Sequence, residues 1–192
     1  MHKSETFNRE YEYIKNPKYR ENIKILVGLL PDYFFEVAAS STGKYHPAFA
    51  LGEGGLVRHT KVAVYMAHEL LNDESIGNIF TEDEKDLMMM GLIVHDGLKH
   101  GKVKNEYVVF DHPVLMAVFI KENADKLTLT EKEIAFLSNV IESHMGPWTT
   151  NKYSPVTLPA PHNRYQKFVH MCDYLASRKL LDVKFSGNDI VE

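Results

Sequence analysis

His95 and Asp96 are adjacent, directly after the apolar run Leu92-Ile93-Val94, and His59, His112, His144 and Asp173 add four more groups of the kind that ligate metals. Adjacency lets one helix end present an imidazole nitrogen and a carboxylate to the same cation, while the other four groups arrive from elsewhere in the chain. Imidazole with carboxylate suits manganese, iron, nickel, cobalt and zinc alike, and the carboxylates admit magnesium too, so the donor set points to divalent metal ions without choosing one.

The elements that must position these groups read as amphipathic helices joined by short loops. Pro17 followed by Tyr19 to Leu30 predicts a first helix, interrupted by Pro31 before a short segment from Asp32 to Ala39. Ser40 to Gly55 reads as loop, Leu56 to Leu71 as a helix closed by Asn72-Asp73. Thr81-Glu82-Asp83-Glu84 and Thr130-Glu131-Lys132-Glu133 are capping boxes, predicting helices that run to His95 and to about His144. Between them, Tyr107 to Phe110 reads as briefly extended, and Asp111 as the cap of a helix carrying Pro113 in its first turn. A proline-bearing loop from Trp148 to Pro161 leads to a last helix from Asn163 to about Leu181. Strand signals are almost absent, so the expected class is all-α, a single bundle of about six to eight helices around a metal site.

Helical phase sorts the ten histidines. Leu56, His59, Ala63, Met66 and Leu70 share one face by three-and-four spacing; His95 shares a face with Leu87 or Met88 and with Gly91 or Leu92. His112 groups with Met116 and Phe119, His144 with Ile134, Leu137 and Ile141, and Asp173 with Val169, Cys172 and Ala176. One histidine on an apolar stripe is usually a hydrogen-bonded core residue. Five helices each turning an ionisable group inward is different, because each group costs several kcal/mol to bury alone and a shared metal would satisfy them all. His68 and His170 fall on polar faces, His2 in a terminus, and His46, His100 and His162 in loops that could line a pocket. The Met88-Met89-Met90 run reads as adaptable core packing.

With 44% hydrophobic and 25% charged residues among 192, the chain has the balance of a globular protein able to bury a core as one domain. A net charge of −4 argues against a surface that grips extended duplex nucleic acid. The single Cys172 and the charged N-terminal residues point to the cytoplasm, and no apolar run reaches the ~20 residues of a membrane span. Oligomeric state is not legible.

The ordered set His59, His95-Asp96, His112, His144 and Asp173 resembles the HD-domain metal-dependent phosphohydrolase superfamily, in its two-metal subgroup. The resemblance covers roughly Tyr45 to Val183, residues 45–183 forming the core and 1–44 an N-terminal helical extension. Gly54-Gly55-Leu56-Val57-Arg58-His59-Thr60 is similar to the glycine-led entry to the family's first ligand helix, and Lys99 keeps the lysine three positions after the doublet. Glu142-Ser143-His144-Met145-Gly146-Pro147-Trp148 is similar to the HD part of a bacterial 3′→5′ exoribonuclease. After the doublet stand Gly97-Leu98, in place of the family's more frequent apolar-glycine order.

The resemblance implies two divalent ions, one held by His59, His95, Asp96 and Asp173, the other by His112 and His144, with Asp96 as bridge. It implies an enzyme that cleaves a phosphoester bond in a nucleotide or related small molecule through metal-activated water, with Asp96 and Lys99 as catalytic residues. Lys99, Arg164, Arg58, His100 and Trp148 are the expected substrate contacts, Lys99 first and Arg164 second for phosphate, with Trp148 open between stacking on a base and anchoring its loop. Exoribonuclease-like activity on long RNA fits less well with an acidic chain that lacks a separate oligonucleotide-binding domain. The same six ligands also occur in HD-type di-iron oxygenases, and a non-catalytic metal- or nucleotide-binding module is the third alternative.

Overall fold

The computed structural model describes residues 2–44 and 46–191, so the boundary expected at Tyr45 lies outside the described residues. Eight α-helices appear among them: α1 (Asn8–Tyr11), α2 (Pro17–Leu29), α3 (Gly55–Asn72), α4 (Glu74–Gly77), α5 (Glu82–Val94), α6 (His112–Glu122), α7 (Glu131–Glu142) and α8 (Arg164–Ala176). A small antiparallel hairpin of β1 (Phe185–Ser186) and β2 (Asp189–Ile190) follows, turning through Gly187 at φ +61°. The class is all-α, and no helix of the described residues is long and apolar enough to cross a membrane.

Local chemistry sets most of the helix starts. Asn16 accepts from the Lys18 amide with Pro17 in the first turn of α2, and Asp73 accepts from Ser75 to open α4. Reciprocal capping boxes open α5 (Thr81 with Glu84), α7 (Thr130 with Glu133) and α8 (Asn163 with Gln166), each cap contributing about 1 kcal/mol. Gly54, left-handed at φ +69°, opens α3.

Three readings are corrected. Asp111 stands at the start of α6 but its side chain accepts no capping bond, and the helix begins on His112 with Pro113 supplying the preset backbone. Tyr107 to Phe110 forms no strand, since no second strand lies beside it among the described residues. The last helix ends at Ala176 rather than near Leu181, because Ser177 and Arg178 side chains both donate back to the Tyr174 carbonyl and divert the chain.

α5 is the axle. Every residue from Asp86 to Val94 is buried, including Met88, Met89 and Met90, because α2, α3, α7 and α8 pack around it. α3 lies along α8 and α6 along α7, so the C-terminal ends of α5 and α7 meet the start of α6 in the interior. Residues 2–44 share this core: Phe7, Tyr11, Ile14, Ile23, Leu26 and Phe34 belong to the same buried cluster. Asp86 of α5 also accepts from the Lys15 and Asn16 amides, fastening the N-terminal segment.

Candidate metal centre

His59 comes from the second turn of α3, His95 and Asp96 from the end of α5, His112 from the first residue of α6, His144 from just beyond α7, and Asp173 from α8. All six converge. His112 Nε2 lies 3.0 Å and His144 Nε2 3.6 Å from Asp96 Oδ1, and these two nitrogens are 3.2 Å apart. His95 Nε2 is 3.3 Å from Asp96 Oδ2 and 3.4 Å from Asp173 Oδ1, while His59 Nε2 sits 2.9 Å from Asp173 Oδ1.

The backbone decides what those nitrogens offer. Nδ1 of His95 donates to the Leu92 carbonyl at 2.6 Å, Nδ1 of His112 to Val109 at 2.7 Å, and Nδ1 of His144 to Ile141 at 2.8 Å. A carbonyl only accepts, so Nδ1 carries the proton in all three rings and a neutral ring turns an Nε2 lone pair toward Asp96. Where a ring is neutral, its lone pair faces a carboxylate in the interior, an arrangement that a proton or a bound cation would relieve. Orienting a ligand histidine through its second nitrogen is the usual outer-shell device of metal sites.

The unpaired atoms agree with that reading. His95 Nε2 and Asp96 Oδ1, both facing the cluster, are buried with no hydrogen-bond partner. Ligand atoms ~2.1 Å from one ion stand about 3–3.5 Å apart, the separations seen here. His59, His95 and Asp173 offer atoms all within 4.8 Å of one another, as do His95, Asp96 and His144, so the residues present fit one or two divalent ions.

Electrostatics show the same strain. Burial pushes His59 and His112 down, and it pushes His95 down too, but the charges of Asp96 and Asp173 overcome it and lift His95 to about 10. Burial works against both carboxylates as well; Lys99 and His95 hold Asp96 well below the usual range, and His59 and His95 do the same for Asp173. A proton on His95 and the Lys99 ammonium are the positive charges that the cluster draws upon.

Above the cluster opens a cavity of about 650 Å³, within the range of small-molecule sites. Asp96, His112, His144 and Asp173 form its floor, and Lys99 and Trp148 line it, Lys99 in direct contact with Asp96. The other expected substrate contacts lie elsewhere. Arg58 is spent on the carbonyls of Phe49 and Leu51 and on Asn188; His100 is buried with Nδ1 donating to the Asn105 carbonyl; Arg164 faces Glu84 and Tyr165 at the far end of α8. None of the three lines the cavity, nor does Tyr165, whose hydroxyl donates to Glu84.

Sequence phase missed one wall residue. His170 reads as solvent-facing on α8, yet it lines the cavity, its Nδ1 donating to the His144 carbonyl at 2.7 Å. The solvent face of that helix is the cavity wall, and Tyr174, next to Asp173, was its available signal. His46, expected in a loop that could line a pocket, does line the cavity; it packs edge-on to His59 at 5.3 Å, and burial, with His59 and Lys99 nearby, pushes it down to about 3.

Gly97 explains the residue order after the doublet. A Cβ there would stand 2.6 Å from Leu30 Cδ2, 2.9 Å from Met116 Sδ and 3.0 Å from the Val94 carbonyl, so α2 and α6 close directly onto this position. A second hollow, about 900 Å³, lies between the N-terminal segment and the hairpin. Its cations are engaged within the protein, Lys3 with Asp32, Lys61 with Asp189 and Arg9 with the Ile190 carbonyl, and none of the six candidate ligands reaches it.

No protein-family model, curated protein or solved structure matches this chain. Fold and site define an all-α bundle with a histidine–aspartate cluster, of residues that could hold a metal ion, at the floor of a cavity.

Proposed function

We propose that the protein is a metal-dependent phosphohydrolase that cleaves a phosphoester bond in a nucleotide or related small molecule, as its resemblance to the HD superfamily implies. The observation that carries this reading is the convergence of three backbone-locked histidines on Asp96. His59 and Asp173 close the other side.

His59, His95, Asp96 and Asp173 would hold one ion, and His112 and His144 a second shared through Asp96. Such ions, when bound, supply a water of lowered pKa and neutralise charge on phosphoryl oxygens. The chain's own residues do the rest. Lys99 is the only Lys or Arg among the described cavity-lining residues, and its ammonium would bind a non-bridging phosphate oxygen once released from Asp96. Asp96, His112 and His144 are buried at the floor, where such contacts are stronger than in bulk water. One cation suits one phosphate group better than a polynucleotide backbone, which needs several.

The test is a panel of nucleoside mono- and triphosphates, cyclic nucleotides and short oligonucleotides, assayed for product release with Mn, Ni, Co and Mg. Turnover of at least one small phosphoester, lost in Lys99→Met or Asp96→Asn, is the expected result. Metal binding without any hydrolysis across the panel would sink the reading, and oxygen uptake by an iron-loaded sample would favour the oxygenase.

A further inference from the structure

Among the described residues, three aromatic side chains are exposed: Tyr107 at 64%, Trp148 at 51% and Tyr153 at 84%. All three line the same cavity, the one above the histidine–aspartate cluster. Aromatic rings left open to water at one place mark a surface that something covers.

The best-built part of that surface is Trp148. Its ring stacks on Tyr174 at 5.7 Å and 21°, and meets His170 edge-on at 6.1 Å and 64°. His170 is fixed in turn by its bond to the His144 carbonyl, and Arg178 covers the Tyr174 ring at 4.1 Å. Gly146 makes the arrangement possible: at φ +65° it turns the chain so that His170 fits against it, where any Cβ would stand 2.1 Å from the ring. The wall is therefore braced from behind and open in front.

Position along the chain ties this wall to the reacting end. Trp148 lies four residues after His144, and Tyr174 directly follows Asp173, both proposed ligands. Four residues span at most about 14 Å, so a ring resting on Trp148 is within one small molecule's length of the metal centre.

Resting on the phosphohydrolase reading, we infer that Trp148, held by Tyr174 and His170, is a stacking subsite that selects phosphoesters carrying a planar heteroaromatic ring over sugar or alkyl phosphates. Stacking on an aromatic side chain tolerates different rings, so the subsite distinguishes ring from no ring more strongly than one base from another. Trp148 is the recognition residue; His170 and Tyr174 are positioning residues.

Trp148 is the chain's sole tryptophan, so its fluorescence reports this wall alone. The Mg²⁺-loaded protein is titrated with AMP, CMP, GMP, UMP and ribose 5-phosphate, and binding of AMP and ribose 5-phosphate to Trp148→Ala and Trp148→Phe is followed by equilibrium dialysis. Saturable quenching by the nucleotides is expected, with ribose 5-phosphate bound about tenfold or more weakly. Trp148→Ala should lose most of that preference while binding ribose 5-phosphate unchanged, and Trp148→Phe should keep most of it. Equal affinity for ring-bearing and ring-free phosphates, no binding of either, or equal losses for both in Trp148→Ala overturns the inference. Because binding is read from quenching and dialysis and hydrolysis from product release, ring-selective binding with no hydrolysis would defeat the enzyme reading alone, and unselective hydrolysis would defeat the subsite alone.

Discussion

Gly55→Ala tests whether the first ligand helix is positioned as described. A Cβ at Gly55 would stand 2.3 Å from the Ala50 carbonyl oxygen, against 3.4 Å or more for an ordinary contact, so about 1 Å of backbone movement is required. That oxygen already accepts from the Ala39 amide at 3.0 Å, and the Leu56 amide is bound to the Val37 carbonyl at 2.9 Å, so the loop is pinned on both sides. Breaking one such bond costs about 1 kcal/mol and overpacking about 1–3 kcal/mol, for a total of roughly 2–4 kcal/mol. In a domain of this size that lowers Tm by roughly 5–15 °C. Gly28→Ala is the opposite case: near the end of α2, exposed, with nothing within 4 Å of its added Cβ, it should gain about 0.5–1 kcal/mol from helix propensity. Differential scanning calorimetry on the two variants reads both signs. A Gly55→Ala protein as stable as the wild type, or a Gly28→Ala protein that loses stability, would refute the reasoning.

Two further perturbations probe the charges outside the metal centre. Burial works against Glu133, but its contacts with Lys18, Tyr19 and Thr130 hold it down at about 2. Its folded value lies below the unfolded one, so its contribution is full above about pH 4.5 and fades as pH falls toward 2; Glu133→Gln should cost about 1–2 kcal/mol in urea unfolding at pH 7 and much less at pH 3. Lys61 is buried against Asp189 at 2.6 Å and Glu10 at 3.7 Å, with Glu10 Oε2 otherwise unpaired. Lys61→Met should cost about 3 kcal/mol by leaving Glu10 alone, and adding Glu10→Gln should restore part of it; a double variant no more stable than the single one would contradict this in the same unfolding assay.

How much of this was legible follows from what each signal depends on. Capping boxes are local, so Thr81 and Thr130 fixed the starts of α5 and α7 before any tertiary information. Helical phase is nearly local too, and it turned His59, His95, His112 and Asp173 to the interior faces that they occupy. What phase cannot see is a cavity: His170 lies on the polar side of α8, and that side faces an opening between elements rather than bulk water. Arg58 and Arg164 lie away from the cavity for a related reason. Sequence proximity to a ligand says nothing about which carbonyls or carboxylates a long side chain reaches first, and here Phe49, Leu51 and Glu84 take them. The Ser186-Gly187-Asn188-Asp189 turn carried a hairpin signal in its glycine, but two-residue strands give too short an alternation to register. The tautomer lock on His95, His112 and His144 could not be read at all, since it depends on where three backbone carbonyls fall.

Metal binding by the histidine–aspartate cluster is the central claim. Elemental analysis of the purified chain, followed by chelation and reloading with Mn, Fe, Ni, Co or Zn while helix content is monitored by circular dichroism, tests it most directly. About two divalent ions per chain are expected, with binding lost in Asp96→Asn although the helices persist, because both proposed ions share that carboxylate. A chain that remains fully helical yet takes up no metal before or after reloading, or an Asp96→Asn protein that binds as well as the wild type, would contradict the central claim.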